Sequence, residues 1–345
     1  MIRFIDPIKS EFGHFNIYRK ALLQIPDTEV VEADLKLLPQ DSNKIKLLLS
    51  RICDWRKQIS KTKPNEIVHV LFGDLYYTIP FLFRLGKRGQ KFVLTMHSVP
   101  EGKIKRLLLK NYCKKASVVV AQSIFNKKEL ESLGLTNVIT VDNPSLYDYS
   151  GIQSKNILRK NFDISGGVIV ISALGGIVQY KGLDILLEAF KYMKVENKKR
   201  LLLNIAGRPG YLNEDDIKRK CNEYDIKARL TIRGLSDKEF MENIVISDYV
   251  AIPYRKSFTA NSGPMTEAIA CKVPCIVSDY GNISKIAKTY NVGVCFRSED
   301  AKSLAETIER EIENPSSFCF DYSEKVNKEN FIKAYEKIYT SLRNK

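Results

Sequence analysis

The sequence predicts an α/β fold: two doubly wound parallel-sheet domains facing one another across a cleft. Three observations predict it. The chain has 345 residues, more than the ~250–300 over which a single core usually keeps growing. Short β-branched runs alternate with helical patterns from end to end, and those runs are near-continuously apolar instead of alternating. Strands of that kind belong to parallel sheets covered on both faces. Twelve such runs split six and six, which fits two sheets better than one.

Taken in order, the first-half strands are expected at Ile2–Ile5, Glu29–Ala33, Ile67–Phe72, Phe92–Met96, Ser117–Gln122 and Val138–Val141. The second half offers Val168–Leu174, Leu201–Gly207, Leu230–Gly234, Tyr249–Pro253, Cys275–Asp279 and Val292–Phe296. The turn-rich stretch NPSLYDYSGIQSKN (Asn143–Asn156) reads as the boundary. The expected domains are therefore 1–150 and 151–322, both Rossmann-like. Residues 323–345 form a closing helix with Phe331, Tyr335, Ile338 and Leu342 on one face, free to pack on either domain, including back on the first.

Composition narrows the class. Apolar content of 44% and charged content of 28% describe a globular chain. No apolar run reaches the roughly 18–20 residues that span a bilayer, and MIRFIDPIKSEFGHF lacks the features of a signal peptide. A cytoplasmic protein is expected. Seven cysteines are scattered without a C-x-x-C pair and read as small buried hydrophobes. Three separated histidines, His14, His69 and His97, give no zinc pattern.

The net charge of +15 is concentrated in the first 150 residues, with 24 Lys+Arg against 15 Asp+Glu. Two basic runs, Asn43–Lys63 and Gly102–Lys115, mix Leu/Ile with Lys/Arg at helical spacing. Each suits either a core helix with a solvated basic face or a surface that meets anionic lipid. Two in one half favour peripheral attachment to the inner face of the cell membrane. The charge also admits nucleic acid, but no aromatic-plus-basic reader motif is present, so no nucleic-acid partner is expected.

In open α/β sheets ligands bind at the carboxyl ends of strands. Two loops there carry chemistry. In SALGGIVQYKGLDILLEAF (Ser172–Phe190), Gly175 and Gly176 end a strand and Lys181 stands just ahead of a helix. Close-approaching amides, a helix N-terminus and a cation make a phosphate site. In SGPMTEAIACKVPCIVSD (Ser262–Asp279), Pro264 suits the first helical position with Ser262 or Gly263 as N-cap. The amides of Ser262, Gly263, Met265 and Thr266 are then expected to face outward. Glu267, one turn in, can accept hydrogen bonds from a ribose diol, and it also suits a position near a helix N-terminus on structural grounds alone.

The order KG-x-D-x-LL-x-AF, a strand ending in AG, a strand ending in RG, then SG-x-x-x-EA-x-A-x-x-x-P-x-I-x-SD resembles the retaining nucleotide-sugar glycosyltransferases of family 4, which have the GT-B fold. The likeness is strong over Ser172–Asp279 and diffuse before Ser172, where SEFGHF, LTMH and NP are compatible with it. It implies transfer of a sugar from a nucleoside diphosphate, UDP or GDP, to a glycan or lipid-linked glycan, with retention and without a cofactor or metal. It assigns Lys181, Glu267 and His97 to catalysis. Gly13, Gly175, Gly176, Lys181, Arg208, Ser262, Gly263, Met265 and Thr266 would hold the diphosphate. Arg233, Gly234 and Glu267 would hold the nucleoside, and His97, Thr259 and Asn261 the donor sugar.

Three positions depart from the family pattern. Gly176 stands where many members carry Arg, Thr259 where many carry a second Glu, and Lys285 where a carboxylate is common. The first leaves one cation fewer at the diphosphate, with Arg208 in AGRPG as a candidate replacement. The second leaves the donor sugar's identity open. The alternatives are a related GT-B enzyme, such as a nucleotide-sugar epimerase, or a basic nucleic-acid-binding module. An epimerase calls for more acid/base residues than these loops provide.

Overall fold

The computed structural model describes residues 1–8, 13–32, 43–79 and 85–344. The chain divides into two compact units. Unit 1 is Met1–Leu146 together with Asn327–Lys345, and unit 2 is Tyr147–Val326. The divisions fall four residues before and four after the 150/151 and 322/323 boundaries read from sequence.

Unit 1 is built on one parallel sheet of β1 (Ile2–Ile5), β2 (Thr28–Val30), β3 (Ile67–Val70), β4 (Lys91–Met96), β5 (Val118–Ala121) and β6 (Val138–Thr140). The order is β2-β1-β3-β4-β5-β6. Its helices are α1 (Gly13–Leu22), α2 (Lys44–Ser60), α3 (Lys103–Cys113) and α4 (Ile124–Ser132). Alternate residues of each strand point to opposite faces, and both faces are covered. Trp55 of α2, Leu109 and Tyr112 of α3 and Leu130 of α4 pack with Val68, Val70, Phe92 and Leu94 on one face. Tyr18 and Leu22 of α1 pack with Phe4, Ile67, Val93 and Val120 on the other. Each such side chain, fully buried, contributes about 1.5–3 kcal/mol.

Unit 2 repeats the plan with β7 (Ile169–Leu174), β8 (Leu201–Ala206), β9 (Ala228–Thr231), β10 (Tyr249–Ile252), β11 (Cys275–Ser278) and β12 (Gly293–Phe296). The order is β12-β11-β10-β7-β8-β9, all parallel. The helices are α5 (Lys155–Asn161), α6 (Leu183–Ala189), α7 (Val195–Lys199), α8 (Glu214–Glu223), α9 (Asp237–Val245), α10 (Gly263–Ala270), α11 (Gly281–Tyr290), α12 (Ala301–Glu313) and α13 (Tyr322–Lys325). Reciprocal capping boxes start α8 (Asn213/Asp216) and α9 (Ser236/Glu239).

The closing helix α14 (Lys328–Arg343) belongs to unit 1. Phe331, Tyr335, Ile338 and Leu342 are buried there, and two tyrosine hydroxyls meet core polar groups. Tyr335 Oη lies 2.8 Å from Thr95 Oγ1 and 2.9 Å from Tyr18 Oη, and Tyr339 Oη lies 2.6 Å from His69 Nδ1. Partnering of this kind lets polar atoms enter an apolar core.

Two sequence expectations need correction. Only Cys113, Cys221 and Cys275 are buried; Cys53 on α2 and Cys319 in the loop before α13 are exposed, and Cys271 at the end of α10 and Cys295 on the edge strand β12 are half-buried. The basic helices divide along their length. The later turns of α2 and α3 enter the core through Trp55, Leu109, Tyr112 and Cys113. Their early turns expose Ile45 (68%), Leu49, Ile104 (77%) and Leu107 among lysines. No helix among the described residues is long and apolar enough to cross a membrane.

Candidate functional site

In unit 2 the chain runs β7-β8-β9 to one side and then returns, so β10 lies on the other side of β7. Loops leaving two such strands diverge and open a crevice, which is where doubly wound sheets bind ligands. A small recess of about 30 Å³ opens there, lined by Gly175, Gly176, Lys181, Pro253 and Tyr254 among others.

The loop after β7 holds Lys181 in a short 3-10 turn, Gln179–Lys181. Two glycines shape it. Gly175 has φ +92°, and a Cβ there would stand 2.7 Å from Lys181 Nζ. Gly182 has φ +64°, and a Cβ would collide with Pro253 O at 2.0 Å, so only glycine lets the β7 and β10 loops meet. A Cβ on Gly176 would meet nothing within 4 Å, since this position faces open space.

Lys181 Nζ lies 3.5 Å from Leu174 O and 5.9 Å from the centre of the Tyr254 ring. Among the described residues it has no acidic partner. Burial lowers its pKa to about 8. A half-buried ammonium without a carboxylate costs free energy, which an anionic ligand would recover.

The turn carrying Lys181 is braced from the β10 loop. Arg255 donates to Asp184 Oδ2 (2.5 Å) and to Gln179 O (3.1 Å), and its amide donates to Tyr180 O (2.8 Å). Tyr211 Oη donates to the other Asp184 oxygen at 2.7 Å.

Helix α10 begins differently from the expectation. Ser262 is its N-cap, Gly263 the first helical residue and Pro264 the second. The Met265 amide donates to Ser262 Oγ (3.3 Å) and the Thr266 amide to Ser262 O (3.0 Å). Both amides are therefore satisfied at the helix start, that of Met265 by the serine cap and that of Thr266 by the first intrahelical bond. The Ser262 and Gly263 amides have no protein acceptor among the described residues, so the anion-facing set is these two and not four. Ser262 Oγ also donates to Tyr254 Oη at 3.1 Å, tying the cap to the ring beside Lys181.

Glu267 is 1% exposed, and Tyr149 Oη donates to its Oε2 at 3.1 Å. Thr259 and Asn261 lie in the β10–α10 loop, half-buried. Arg208 is exposed beside Gly234, where a Cβ would stand 3.8 Å from its Nη2. Among the described residues Arg208 has no acidic partner. Arg233 is clamped to Glu239 through Nη2–Oε1 at 2.5 Å, and Gly234 is exposed beside it.

In unit 1 the sheet reverses between β1 and β3. Residues 9–12 of the loop after β1, including the first half of SEFGHF, lie outside the described residues; Gly13 opens α1. His97 follows β4. Its Nε2 is 2.9 Å from Leu71 O, and since a carbonyl only accepts, the proton sits on Nε2. Its ring stacks on Phe72 at 4.7 Å. Asp74 Oδ2 accepts the His97 amide at 2.9 Å and Oδ1 the Ser98 amide at 3.3 Å. Although part of the Asp74 surface meets solvent, desolvation of the carboxyl raises its pKa to about 7 against the pull of those amides.

The structure thus brings Gly175, Gly176, Lys181, Ser262 and Gly263 together around one crevice, with Glu267 one turn along α10. Tyr254, Arg255, Tyr149 and Asp74 were not identified from sequence, and Asp184 entered only as a letter of a motif. The motif spacing around KG-x-D was the available signal for Asp184; Arg255, Tyr149 and Asp74 act on residues 20 or more positions away, and Tyr254 carries no motif.

Comparison with known proteins agrees on the fold. Sucrose-phosphate synthase from Thermosynechococcus elongatus superposes with a TM-score of 0.76 at 15% identity, covering 99% of each chain. HepE from Anabaena, solved with UDP and glucose, gives 0.68 at 12%, again over 99% of each. A glycosyltransferase from Rickettsia africae gives 0.68 at 15% over 100% of this chain and 99% of the other. No curated protein matches by sequence. The fold is the two-domain α/β fold of GT-B glycosyltransferases. Residues 154–331, more than half the chain, match the glycosyl transferases group 1 family, and the chain belongs to that family.

Proposed function

We propose that this protein is a retaining, metal-independent glycosyltransferase that moves a sugar from a nucleoside-diphosphate sugar, UDP- or GDP-linked, to a glycan or lipid-linked glycan. The carrying observation is Lys181: an ammonium drawn out of water, without an acidic partner among the described residues, against Gly175 and near the Tyr254 ring to which the Ser262 cap is tied. The HepE structures hold UDP, UDP with glucose, or UDP-glucose, which supports the same donor class here.

As the anomeric bond breaks, negative charge grows on the leaving diphosphate. Lys181 and the two helix-terminal amides would stabilise it without reorganising, the cheapest form of electrostatic catalysis. Glu267 would take the ribose hydroxyls, and the Arg233–Gly234 backbone would frame the base. Arg208, exposed and without an acidic partner beside Gly234, is the second cation within this group of loops. His97, its Nε2–H donated to Leu71 O, would lie beside the donor sugar. The acceptor would attack from the face the diphosphate leaves, so no enzymic nucleophile is needed. Unit 2 would bind the donor and unit 1 the acceptor.

The test is a thermal-shift panel of UDP, GDP, CMP and dTDP on wild type, Lys181→Ala and Glu267→Ala. A ligand at ~100 times its Kd raises stability by about 2.7 kcal/mol. One diphosphate should stabilise wild type and fail on both variants; no shift with any nucleotide would refute the donor site. Turnover surviving excess chelator supports the metal-independent step, and complete loss refutes it.

The exposed Ile45, Leu49, Ile104 and Leu107 among lysines support docking on an anionic bilayer. Co-sedimentation with phosphatidylglycerol vesicles at low salt should be strong and fall at high salt. Absence of binding removes the membrane and leaves the transferase.

A further inference from the structure

Tyr149 is the third residue of unit 2, in the irregular connector between β6 and α5. Its hydroxyl is turned inward, onto the carboxylate of Glu267, 118 positions away in sequence, at 3.1 Å. The thiol of Cys271, one turn further along α10, lies against the same hydroxyl. Glu267 itself is 1% exposed. A buried carboxylate has strong demands on its geometry, because each oxygen must find donors or lose hydration it cannot replace. Tyr149 supplies one such donor from outside the helix that carries Glu267.

This arrangement bears on how a diol would be read. A carboxylate meets two vicinal hydroxyls well only when both oxygens lie in the plane of the diol, and rotation about its last torsion is otherwise broad. A fixed donor on Oε2 restricts that rotation. We propose that Tyr149 is a positioning residue for nucleoside recognition: its hydroxyl orients the Glu267 carboxylate toward a ribose diol and so sets the preference for ribo- over 2′-deoxyribonucleotides. The inference rests on the donor site proposed above. Burial, with Glu267 close by, raises the Tyr149 pKa, so the hydroxyl remains a donor throughout the neutral range.

The experiment is calorimetric titration of wild type, Tyr149→Phe and Glu267→Gln with three probes: UDP, 2′-deoxy-UDP and inorganic pyrophosphate, with GDP and 2′-deoxy-GDP in parallel. Wild type should prefer the ribonucleotide about tenfold or more, the discrimination that one well-placed hydrogen bond to a hydroxyl supports. Tyr149→Phe, which keeps the ring, should narrow that preference at least threefold while pyrophosphate affinity stays within twofold of wild type. Glu267→Gln should narrow it further. If Tyr149→Phe weakens all three probes alike, the tyrosine is only structural and the inference fails. An unchanged ribo/deoxy ratio in Tyr149→Phe also overturns it. If wild type binds no nucleoside diphosphate, the donor site itself is refuted, and the role of Tyr149 with it.

Discussion

Raising the pH should weaken nucleotide binding through a single group, Lys181. Its folded-state pKa is about 8, against 10.5 for an ordinary lysine, because burial disfavours the ammonium. A diphosphate beside it favours the ammonium and lifts the pKa back, so binding above pH ~8 requires proton uptake. The apparent Kd then grows as 1 + 10^(pH − pKa) until the bound-state pKa is reached. Between pH ~7.5 and ~9 that amounts to about eightfold. The last ionisation of a terminal phosphate, near pH ~6, lies below this window and does not interfere.

The same shift has a stability signature of definite sign. The unfolded lysine stays charged to pH ~10.4, while the folded one prefers to be neutral above about 8. The folded state therefore carries its full penalty below pH ~8, and stability rises as pH climbs from there towards ~10.4. The penalty is at most about 3 kcal/mol, and solvent contact along the half-buried side chain reduces it. Lys181→Met should thus melt higher than wild type at pH 7 yet bind diphosphates weakly and without pH dependence. Calorimetry in two buffers of different ionisation enthalpy would measure the proton uptake directly. A Kd flat within twofold across this window, together with a variant no more stable than wild type, would refute the reasoning.

Three further outcomes are expected. Gly176→Arg adds a cation where a Cβ meets open space, and should tighten nucleoside-diphosphate binding several-fold by titration, with little loss of Tm. Ser262→Ala removes the N-cap of α10 and the donor to Tyr254, and should cost about 0.5–2 kcal/mol in denaturant melts. Asp74 has its pKa raised to about 7, so the unfolded carboxyl ionises first and wild-type stability falls as pH rises from ~4 to ~7. Asp74→Asn removes that slope, and its Tm relative to wild type should climb between pH 5 and pH 8.

Much of the fold was legible in the sequence because the sheets are parallel and doubly covered. Inner strands of that kind are apolar on both faces and stood out as short runs separated by helical periods, while the edge strands β2 and β9 match their expected runs only in part. Strand ends were less distinct: Arg233 and Gly234, read as a strand terminus, lie past the end of β9 at Thr231. The order of strands was not written in any run. It follows from crossovers, and only the structure shows that β10 returns to the far side of β7 and opens the crevice there. The surface of α2 and α3 was ambiguous for a related reason. A single helix can bury its last turns and expose its first ones, and periodicity reports the sum.

The site divides along the same physical line. Gly175, Lys181 and Ser262 were visible because their roles are local: a positive φ, a short turn, an N-cap. Residues that act across the fold left no such trace. Arg255 braces the Lys181 turn from 71 positions beyond Asp184, and Asp74 holds the His97 amide from 23 positions before it. Even the error at Met265 and Thr266 has this origin. A helix N-terminus leaves its first amides unbonded, but here Pro264 has none to offer, the Ser262 hydroxyl takes that of Met265, and that of Thr266 makes the first intrahelical bond. What a ligand would find is therefore a smaller set of donors than the motif suggests, with Lys181 carrying a correspondingly larger share of the charge stabilisation.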